Sequence, residues 1–361
     1  MTIDKTIVSE KRIEYLDCLR IMATIAVIMI HVAARKWYST DINSFQWLTM
    51  VMYDGVVRWA VPVFVMISGV VFCRDGKWDI AIIYKKYVAR IIIAFMFWSL
   101  IYTINSGIKN GLDFEEWLIS FFRGPYHMWY LYMIVGVYIL IPFLKVIINS
   151  EILTRYFLLL SLFFTFIIPF VEKICSLQNM QIATLIEGGI GKLNFHFTLG
   201  YVSYFILGFY LNKINIDGKM KRLIYFGGII GFLLTPVLTL QISWLKQMPD
   251  ETFYDYFALN VLLESIAVFV FVKNNYYKLN ITGIRKRLVE KLSKFTFGVY
   301  LVHVLVIDNL VINYLDFEIK KNGWESYPLI TIPLITFLVA IISFGISALL
   351  NRISLLKNHI V

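Results

Sequence analysis

Residues 15–34 read YLDCLRIMATIAVIMIHVAA, and this stretch decides the fold because it is long enough to cross a bilayer yet contains Asp17, Arg20 and His31. An α-helix turns once about every 3.6 residues, so Arg20 and His31 point the same way, roughly 16 Å apart along the axis. Thr24 and Asp17 lie on the same stripe. An ionisable side chain at membrane depth costs about 3 kcal/mol on insertion scales, so such groups usually face a bundle interior or a water-filled cavity. The stretch therefore predicts a path or a site that spans this distance.

The composition of the whole chain predicts an all-α integral membrane protein. Of its 361 residues, 59% are hydrophobic and 16% are charged, and the mean hydropathy is +0.71. The net charge of +10 would suit a nucleic-acid binder, but the basic residues lie mostly in short loops between apolar runs. That distribution is a membrane-topology signal, so we expect contact with membrane lipid and no nucleic-acid partner.

The cysteines and the start of the first apolar run predict neither a disulfide-bonded protein nor a cleaved signal peptide. The three cysteines are scattered among apolar segments and predict neither a disulfide framework nor a metal site. Lys11 and Arg12 precede the first apolar run as they would in a signal peptide, but the run is too long and too polar inside for one. We therefore expect a retained helix.

Runs of about 20 apolar residues mark membrane-spanning helices, and they predict about ten. No segment between them is long enough for a soluble domain, so residues 1–361 are expected to form one transmembrane domain. The predicted helices cover residues 14–34, 51–73, 88–108, 129–149, 154–172, 197–212, 223–243, 256–273, 295–315 and 327–350.

The placement of Lys and Arg predicts that both termini are cytoplasmic. In a ten-helix arrangement with the N-terminus inside, 23 of the 32 basic residues other than Arg20 and Arg58 fall in loops or at helix ends on the cytoplasmic side. Short cytoplasmic loops carry such an excess. His31 is then expected at the outer end of the first helix, and Arg20 towards its inner end.

His31 is the best candidate for a general base. Imidazole titrates near pH 6.5 and can accept a proton from a hydroxyl group. The structural alternative is a histidine at the level of the lipid headgroups. Arg20 can likewise have a structural role, as an ion pair with Asp17 one turn away. A paired guanidinium still keeps donors that can bind a phosphate or carbonyl oxygen, which is its functional alternative.

The second predicted helix carries another charged pair and a small-residue step. Asp54 and Arg58 stand four residues apart and are expected to pair, either as a lock between helices or as substrate-binding groups. Pro62 is expected to loosen the helix where irregular backbone usually lines a cavity. Ser68 and Gly69 allow close approach of a neighbouring helix or of a ligand.

A basic cluster follows this helix. Residues 84–91 read YKKYVARI and place Lys85, Lys86 and Arg90 at the membrane surface. The cytoplasmic excess of basic residues explains such a cluster without a ligand. The functional alternative is a dock for the phosphates of a nucleotide.

Four further residues are candidates for substrate binding. His127 and Trp129 open the fourth helix, where aromatic residues are expected at a membrane interface but also suit a sugar. His303 lies deep in the ninth helix, and Glu264 is an isolated carboxylate in the eighth. No histidines, cysteines or carboxylates have metal-ligand spacing, so no metal is expected.

Four motifs in order resemble the acyltransferase-3 family of bacterial membrane O-acyltransferases. The first is LDCLR at residues 16–20, followed by His31 after ten intervening residues. The others are VPVFVMISG at 61–69, HMWYL at 127–131 and YLVH at 300–303. The subset most resembled includes the O-acetyltransferase of enterobacterial common antigen and acyltransferases of exopolysaccharide operons.

The resemblance implies that a multi-pass protein of the bacterial inner membrane transfers an acyl group, usually acetyl, from cytoplasmic acetyl-CoA. The acceptor would be a hydroxyl of a surface glycan or of an undecaprenyl-linked sugar. His31 would be the base, and Arg20, held by Asp17, would position the acyl-pantetheine arm. Ser68 and Gly69 would line the donor tunnel.

One motif departs from the family pattern. The family often has Arg-x-x-Arg before the third helix, assigned to the CoA phosphates, whereas this chain has Lys86-x-x-x-Arg90. The main alternative function is export of a surface polysaccharide or lipid-linked sugar, because charges within the membrane suit transport equally well. A transporter often shows internal repeats, and none is visible here.

Overall fold

The structure is a computed structural model that describes residues 12–73, 80–178, 195–309, 327–353 and 356. Every regular element in this part of the chain is helical. The first half comprises α1 (Glu14–Ala33), α2 (Phe45–Gly55), α3 (Ala60–Phe72), α4 (Ala89–Asn110), α5 (Phe114–Arg123), α6 (Trp129–Ile148), α7 (Glu151–Ser161) and α8 (Ile168–Leu177). The second half comprises α9 (Phe195–Lys213), α10 (Gly218–Lys246), α11 (Leu259–Asn275), α12 (Gly283–Val306) and α13 (Pro328–Leu350).

Eight helical segments in the described ranges are long and apolar enough to cross a membrane. They are Glu14–Lys36, Phe45–Phe72, Ile80–Ile108, Tyr126–Ile148, Glu151–Leu177, Gly218–Lys246, Thr252–Leu279 and Pro328–Leu350. This confirms an all-α integral membrane protein. Helices α9 and α12 lie where the sixth and ninth spans are predicted, and the count of ten crossings stays a prediction. The last part of the predicted ninth span, residues 310–315, lies outside the described residues, as do both chain ends.

The segment predicted as one helix over residues 51–73 is two helices. Helix α2 begins earlier, at Phe45, where the Ser44 side chain accepts a hydrogen bond from the Trp47 backbone and caps the helix. A turn at residues 56–59 then separates α2 from α3. Pro62 does not cause this break, because it lies in the first turn of α3, where proline costs the helix no hydrogen bond. The turn places Arg58 beside Asp54, near the start of the predicted span.

Helix α5 is a short amphipathic helix that the hydrophobic-run analysis did not predict. Asp113 and Glu116 form a reciprocal capping box at its start. Its large apolar side chains are exposed and recur on one face at Phe114, Leu118 and Phe122. At ten residues, α5 is too short to cross a bilayer, and its exposed apolar face suits the membrane surface.

Helix α1 is central and packs against α3, α12 and α13, so its polar stripe is enclosed by the bundle. Helix α3 is fixed on its other side by α9. A Cβ on Gly69 would lie 1.8 Å from the Phe205 carbonyl oxygen, and one on Gly208 would lie 2.2 Å from the Met66 carbonyl oxygen. Paired glycines thus let the two backbones touch, which fixes the face that α3 presents to α1.

Candidate active site

The bundle encloses a cavity of about 320 Å³ beside the polar stripe of α1. Arg20 and His31 both line it, and the apolar side chain of Val27 lies between them on the same stripe. Side chains from α1, α3, α4, α6 and α12 complete the wall. Its polar and aromatic lining consists of Arg20, His31, Phe64, Ser68, Phe72, Tyr87, Arg90, His127, Trp129, Tyr130, Tyr138, Tyr256, Thr296, Phe297 and Tyr300.

Asp17 lies next to Arg20 but is held mainly by other residues. Its carboxylate accepts two hydrogen bonds from Arg12, at 2.6 and 2.9 Å, and one from the Ser293 hydroxyl at 2.7 Å. The bond from Arg20 is longer, at 3.3 Å. Asp17 is 1% exposed and does not line the cavity, so it ties α1 to α12 and leaves most Arg20 donors for the cavity.

The Arg20 end of the cavity is polar. The hydroxyl oxygens of Ser68 and Tyr138 lie 3.4 Å apart, and Ser68 also donates to the Phe64 carbonyl. Both side chains are half-buried and line the cavity with Arg20. Gly69 does not line it, because it packs against Phe205 instead. Of the two residues predicted to line the donor tunnel, Ser68 therefore lines the cavity and Gly69 forms a helix contact.

Of the three basic residues predicted to bind phosphates, Arg90 lines the cavity, whereas Lys85 and Lys86 do not. Residues Ile83–Val88 form a π-helical turn, which contains more residues per turn than an α-helix and often occurs at functional sites. Arg90 and Tyr87 line the cavity, and the Arg90 guanidinium lies 5.6 Å from the Phe297 ring centre. Lys85 and Lys86 are exposed and outside the lining. Arg90 thus reaches the cavity beside Arg20, whereas the two lysines stay at its approach.

Three imidazole rings meet at the other end of the cavity. The ring centre of His303 lies 5.2 Å from that of His31 and 5.1 Å from that of His127. The ring centres of His31 and His127 are 6.2 Å apart. They come from three helical segments that are distant in sequence. His31 and His127 line the cavity, whereas His303 is fully buried behind them.

The histidines differ in their hydrogen bonding. The Nδ1 atom of His303 lies 2.7 Å from the Tyr300 carbonyl oxygen, and its Nε2 atom has no partner in the described part of the chain. Neither ring nitrogen of His127 makes a well-aligned hydrogen bond among these residues, although the Leu301 backbone lies near its ring. The His31 ring lies near the rings of Tyr126, His127 and His303 and has no hydrogen bond in the described part of the chain, so its nitrogens remain for a bound molecule or for another imidazole. Within the described ranges, no three histidine, cysteine or acidic residues are placed to hold a metal ion.

Aromatic rings form a wall next to the histidines. Trp129 and Tyr256 stack with ring centres 5.7 Å apart and planes 26° apart, and both line the cavity. Tyr201 lies 5.8 Å from Trp129 and supports it from behind. Trp129 remains 39% exposed. An exposed, preorganised aromatic face of this kind suits the apolar face of a sugar ring.

Asp54 and Arg58 form the predicted ion pair and are both buried. The Arg58 guanidinium lies 4.1 Å above the Tyr254 ring, and the Tyr254 hydroxyl donates to the Val51 carbonyl at 2.8 Å. Neither charged residue lines the cavity. The pair therefore braces the turn between α2 and α3 against the segment that leads to Tyr256.

Glu264 lies away from the cavity, between α10 and α11. It accepts a hydrogen bond from Thr235, whose hydroxyl oxygen also accepts one from Asn260 at 2.8 Å. A Cβ on Gly231 would lie 2.6 Å from the Asn260 carbonyl oxygen, so the two helices are in close contact here. This arrangement links two helices and brings Glu264 to none of the other candidate residues.

The sequence analysis did not single out Tyr138, Tyr256, Tyr87 and Thr296, which line the cavity. Tyr130 and Tyr138 stand eight residues apart, so they share one helix face. That spacing in α6 was a usable signal. Tyr256 comes from a loop segment on the far side of the bundle, and no sequence pattern connects it with α1.

The comparisons with known proteins identify one family. The family model of the acyltransferase domain, Acyl_transf_3, matches residues 13–352, which is nearly the whole chain and includes every cavity residue. No curated protein and no solved structure matches the chain. A match over this length covers all four motifs found in the sequence. The chain therefore belongs to the acyltransferase-3 family and is a membrane acyltransferase.

Proposed function

We propose that the protein transfers an acetyl or other short acyl group from cytoplasmic acyl-CoA to a hydroxyl of a cell-surface glycan or of an undecaprenyl-linked glycan intermediate. The observation that carries this proposal is that Arg20 and His31 line one cavity. On a helix they are roughly 16 Å apart, a distance that the extended pantetheine arm of CoA can cover. The donor enters at the Arg20 end and presents its acyl group at the His31 end.

His31 acts as the general base in this reaction. It takes the proton of the acceptor hydroxyl while the hydroxyl oxygen attacks the carbonyl carbon of the thioester. A carbon–oxygen bond forms, the carbon–sulfur bond breaks, and the CoA thiolate receives the proton from His31. The base is thereby regenerated, and no other reactant is needed. His31 is half-buried at the cavity wall with no competing hydrogen bond among the described residues, which leaves it available for this step.

The donor is held by positive charge at the opposite end. Arg20 keeps donors free of Asp17 for a carbonyl or amide oxygen of the pantetheine arm, and Ser68 lies beside it. Arg90 lies at the same end, and Lys85 and Lys86 are exposed just before it. Charge-assisted hydrogen bonds suit the phosphates of CoA. The excess of basic residues on this side agrees with a cytoplasmic donor.

The acceptor is a sugar held at the aromatic wall. The stacked rings of Trp129 and Tyr256 offer an apolar face, and His127 offers unpaired ring nitrogens to a hydroxyl. Asp54 and Arg58 act indirectly, because they support this wall from behind. Glu264 has only a structural part in this proposal.

The test compares His31→Ala with Ile25→Ala in purified protein reconstituted in lipid. Ile25 is on the same helix but exposed on its outer side, so its variant controls for truncation of an α1 side chain. Loss of a general base typically lowers the rate by about 10²–10⁴-fold. We expect CoA release from acetyl-CoA, in the presence of lipid-linked glycan acceptors, to fall by that factor in His31→Ala only.

Equal acyl transfer by His31→Ala and the wild type would exclude His31 as the base. Movement of glycan across the bilayer by wild-type protein, with no CoA release, would favour an exporter instead.

A further inference from the structure

We propose that His303 is a positioning residue that accepts a hydrogen bond from His31 and thereby fixes which nitrogen of His31 faces the acceptor hydroxyl. This inference rests on the proposed role of His31 as the base. It assigns a task to a fully buried imidazole that does not line the cavity and lies directly behind the one that does.

The hydrogen bonding of His303 determines its tautomer. A carbonyl oxygen can only accept a hydrogen bond, so the 2.7 Å contact with the Tyr300 carbonyl requires a proton on Nδ1 of His303. A neutral imidazole has one N–H group, which leaves Nε2 as an acceptor. This Nε2 atom is buried and has no partner in the described ranges. A buried acceptor without a donor destabilises the folded state, so the site favours any N–H that can reach it.

His31 is close enough to become that donor when its ring turns towards Nε2 of His303. An N–H···N bond needs about 2.9 Å between the nitrogens, and each nitrogen lies about 1 Å from its ring centre, so in-line imidazoles have centres about 5 Å apart. The His31–His303 separation is 5.2 Å with an interplanar angle of 34°. The His127 ring lies at a similar separation from His303, 5.1 Å, and is the competing donor, which the tautomer measurement distinguishes from His31. No hydrogen bond to another described residue holds the His31 ring in a different orientation.

The pairing matters for the reaction because a base must present a bare nitrogen. With one N–H directed at His303, the other nitrogen of His31 carries the lone pair that faces the cavity. When His31 takes the hydroxyl proton, both of its nitrogens carry hydrogen, and His303 continues to accept one of them. The proton then passes to the CoA thiolate. In hydrolytic triads a carboxylate orients the histidine, whereas here a neutral imidazole does so.

The kinetic test uses two His303 substitutions. His303→Leu removes the acceptor, and His303→Gln keeps an amide oxygen near the position of Nε2. Val304→Ala is the control, since Val304 is the buried neighbour on the same helix. We expect His303→Leu to lower kcat by about 10²-fold while the KM for acyl-CoA changes less than about twofold. His303→Gln should recover at least tenfold of this loss, and Val304→Ala should match the wild type.

A second measurement does not depend on acyl transfer. The chain has five histidines, so ¹⁵N-histidine NMR of the reconstituted protein can be assigned by single substitutions. We expect one neutral tautomer of His31 in the wild type and in His303→Gln, and a mixture in His303→Leu. The wild-type spectrum should also place the proton of His303 on Nδ1, which needs no variant to fold.

Three results would overturn the inference: equal losses in the Leu and Gln variants, a His303 proton on Nε2, or a His31 tautomer that changes with His127→Asn and not with His303→Leu. A wild-type protein that transfers no acyl group would instead refute the proposed function. The tautomer measurements would still decide whether His303 orients His31.

Discussion

Replacing Gly69 by alanine tests whether this glycine forms a helix contact or lines the donor tunnel. The added Cβ would lie 1.8 Å from the Phe205 carbonyl oxygen and 2.7 Å from its carbonyl carbon, whereas ordinary van der Waals contacts begin near 3.4 Å. Helices α3 and α9 would have to move apart by more than an ångström, because a backbone carbonyl within a helix cannot rotate away. We therefore expect Gly69→Ala to destabilise the protein.

The magnitude follows from two opposing effects. Alanine stabilises a helix interior by about 1 kcal/mol relative to glycine. Overpacking of a well-packed core typically costs about 1–3 kcal/mol, and a clash with backbone falls at or above the top of that range. The net effect should be a loss of about 2 kcal/mol or more.

Thermal unfolding of the detergent-solubilised protein measures this loss. Gly136 in α6 is the matched control, since a Cβ there meets nothing within 4 Å. Gly136→Ala should leave the midpoint unchanged or raise it, whereas Gly69→Ala should lower it by several degrees. An unchanged midpoint for Gly69→Ala, together with a raised KM for acyl-CoA, would refute the packing argument and restore Gly69 to the tunnel.

Three further predictions concern the charged residues and the topology. Arg20→Lys should lower kcat/KM by at least tenfold in the CoA-release assay, because lysine lacks the planar fork that can hold Asp17 and a donor oxygen together; unchanged kinetics would reduce Arg20 to a point charge. Lys86→Gln with Arg90→Gln should raise the KM for acetyl-CoA with little effect on kcat, and Arg90→Gln alone should account for most of the rise because Arg90 lines the cavity. Lys219→Gln, an exposed substitution outside this cluster, is the control, and an unchanged KM in the double variant would move the phosphate site elsewhere. Reporter labels on either terminus should be found in the cytoplasm, and an external C-terminus would remove one helix from the ten.

The first helix was predictable from the sequence because its residues are related by a single period. Arg20 and His31 share a stripe by helix geometry alone, and the structure places both at one cavity. The Asp54–Arg58 pair was predictable for the same reason, because residues four apart lie on one helix face. The two side chains pair although the helix ends before Arg58. Helix α5 was not predicted, although its capping residues Asp113 and Glu116 stand three residues apart in the sequence.

The rest of the site depends on contacts between distant segments. Residues 56–59 read VVRW and contain none of the glycine, proline, asparagine, aspartate or serine residues that typically mark a turn. Gly69 serves a helix contact that only the position of Phe205 defines. His31, His127 and His303 lie on separate helices, and no pattern within one helix places their rings about 5–6 Å apart.

The most direct test of the account is an experimental structure of the protein in lipid with a non-reactive acetyl-CoA analogue. In this analogue a methylene group replaces the thioester sulfur and the carbonyl group is kept. The account predicts the carbonyl carbon close enough to His31 for an acceptor hydroxyl to fit between them, the pantetheine arm past Arg20, and the phosphates near Arg90. An analogue bound with its acyl group outside the cavity, or with its phosphates at the His31 end, would contradict it.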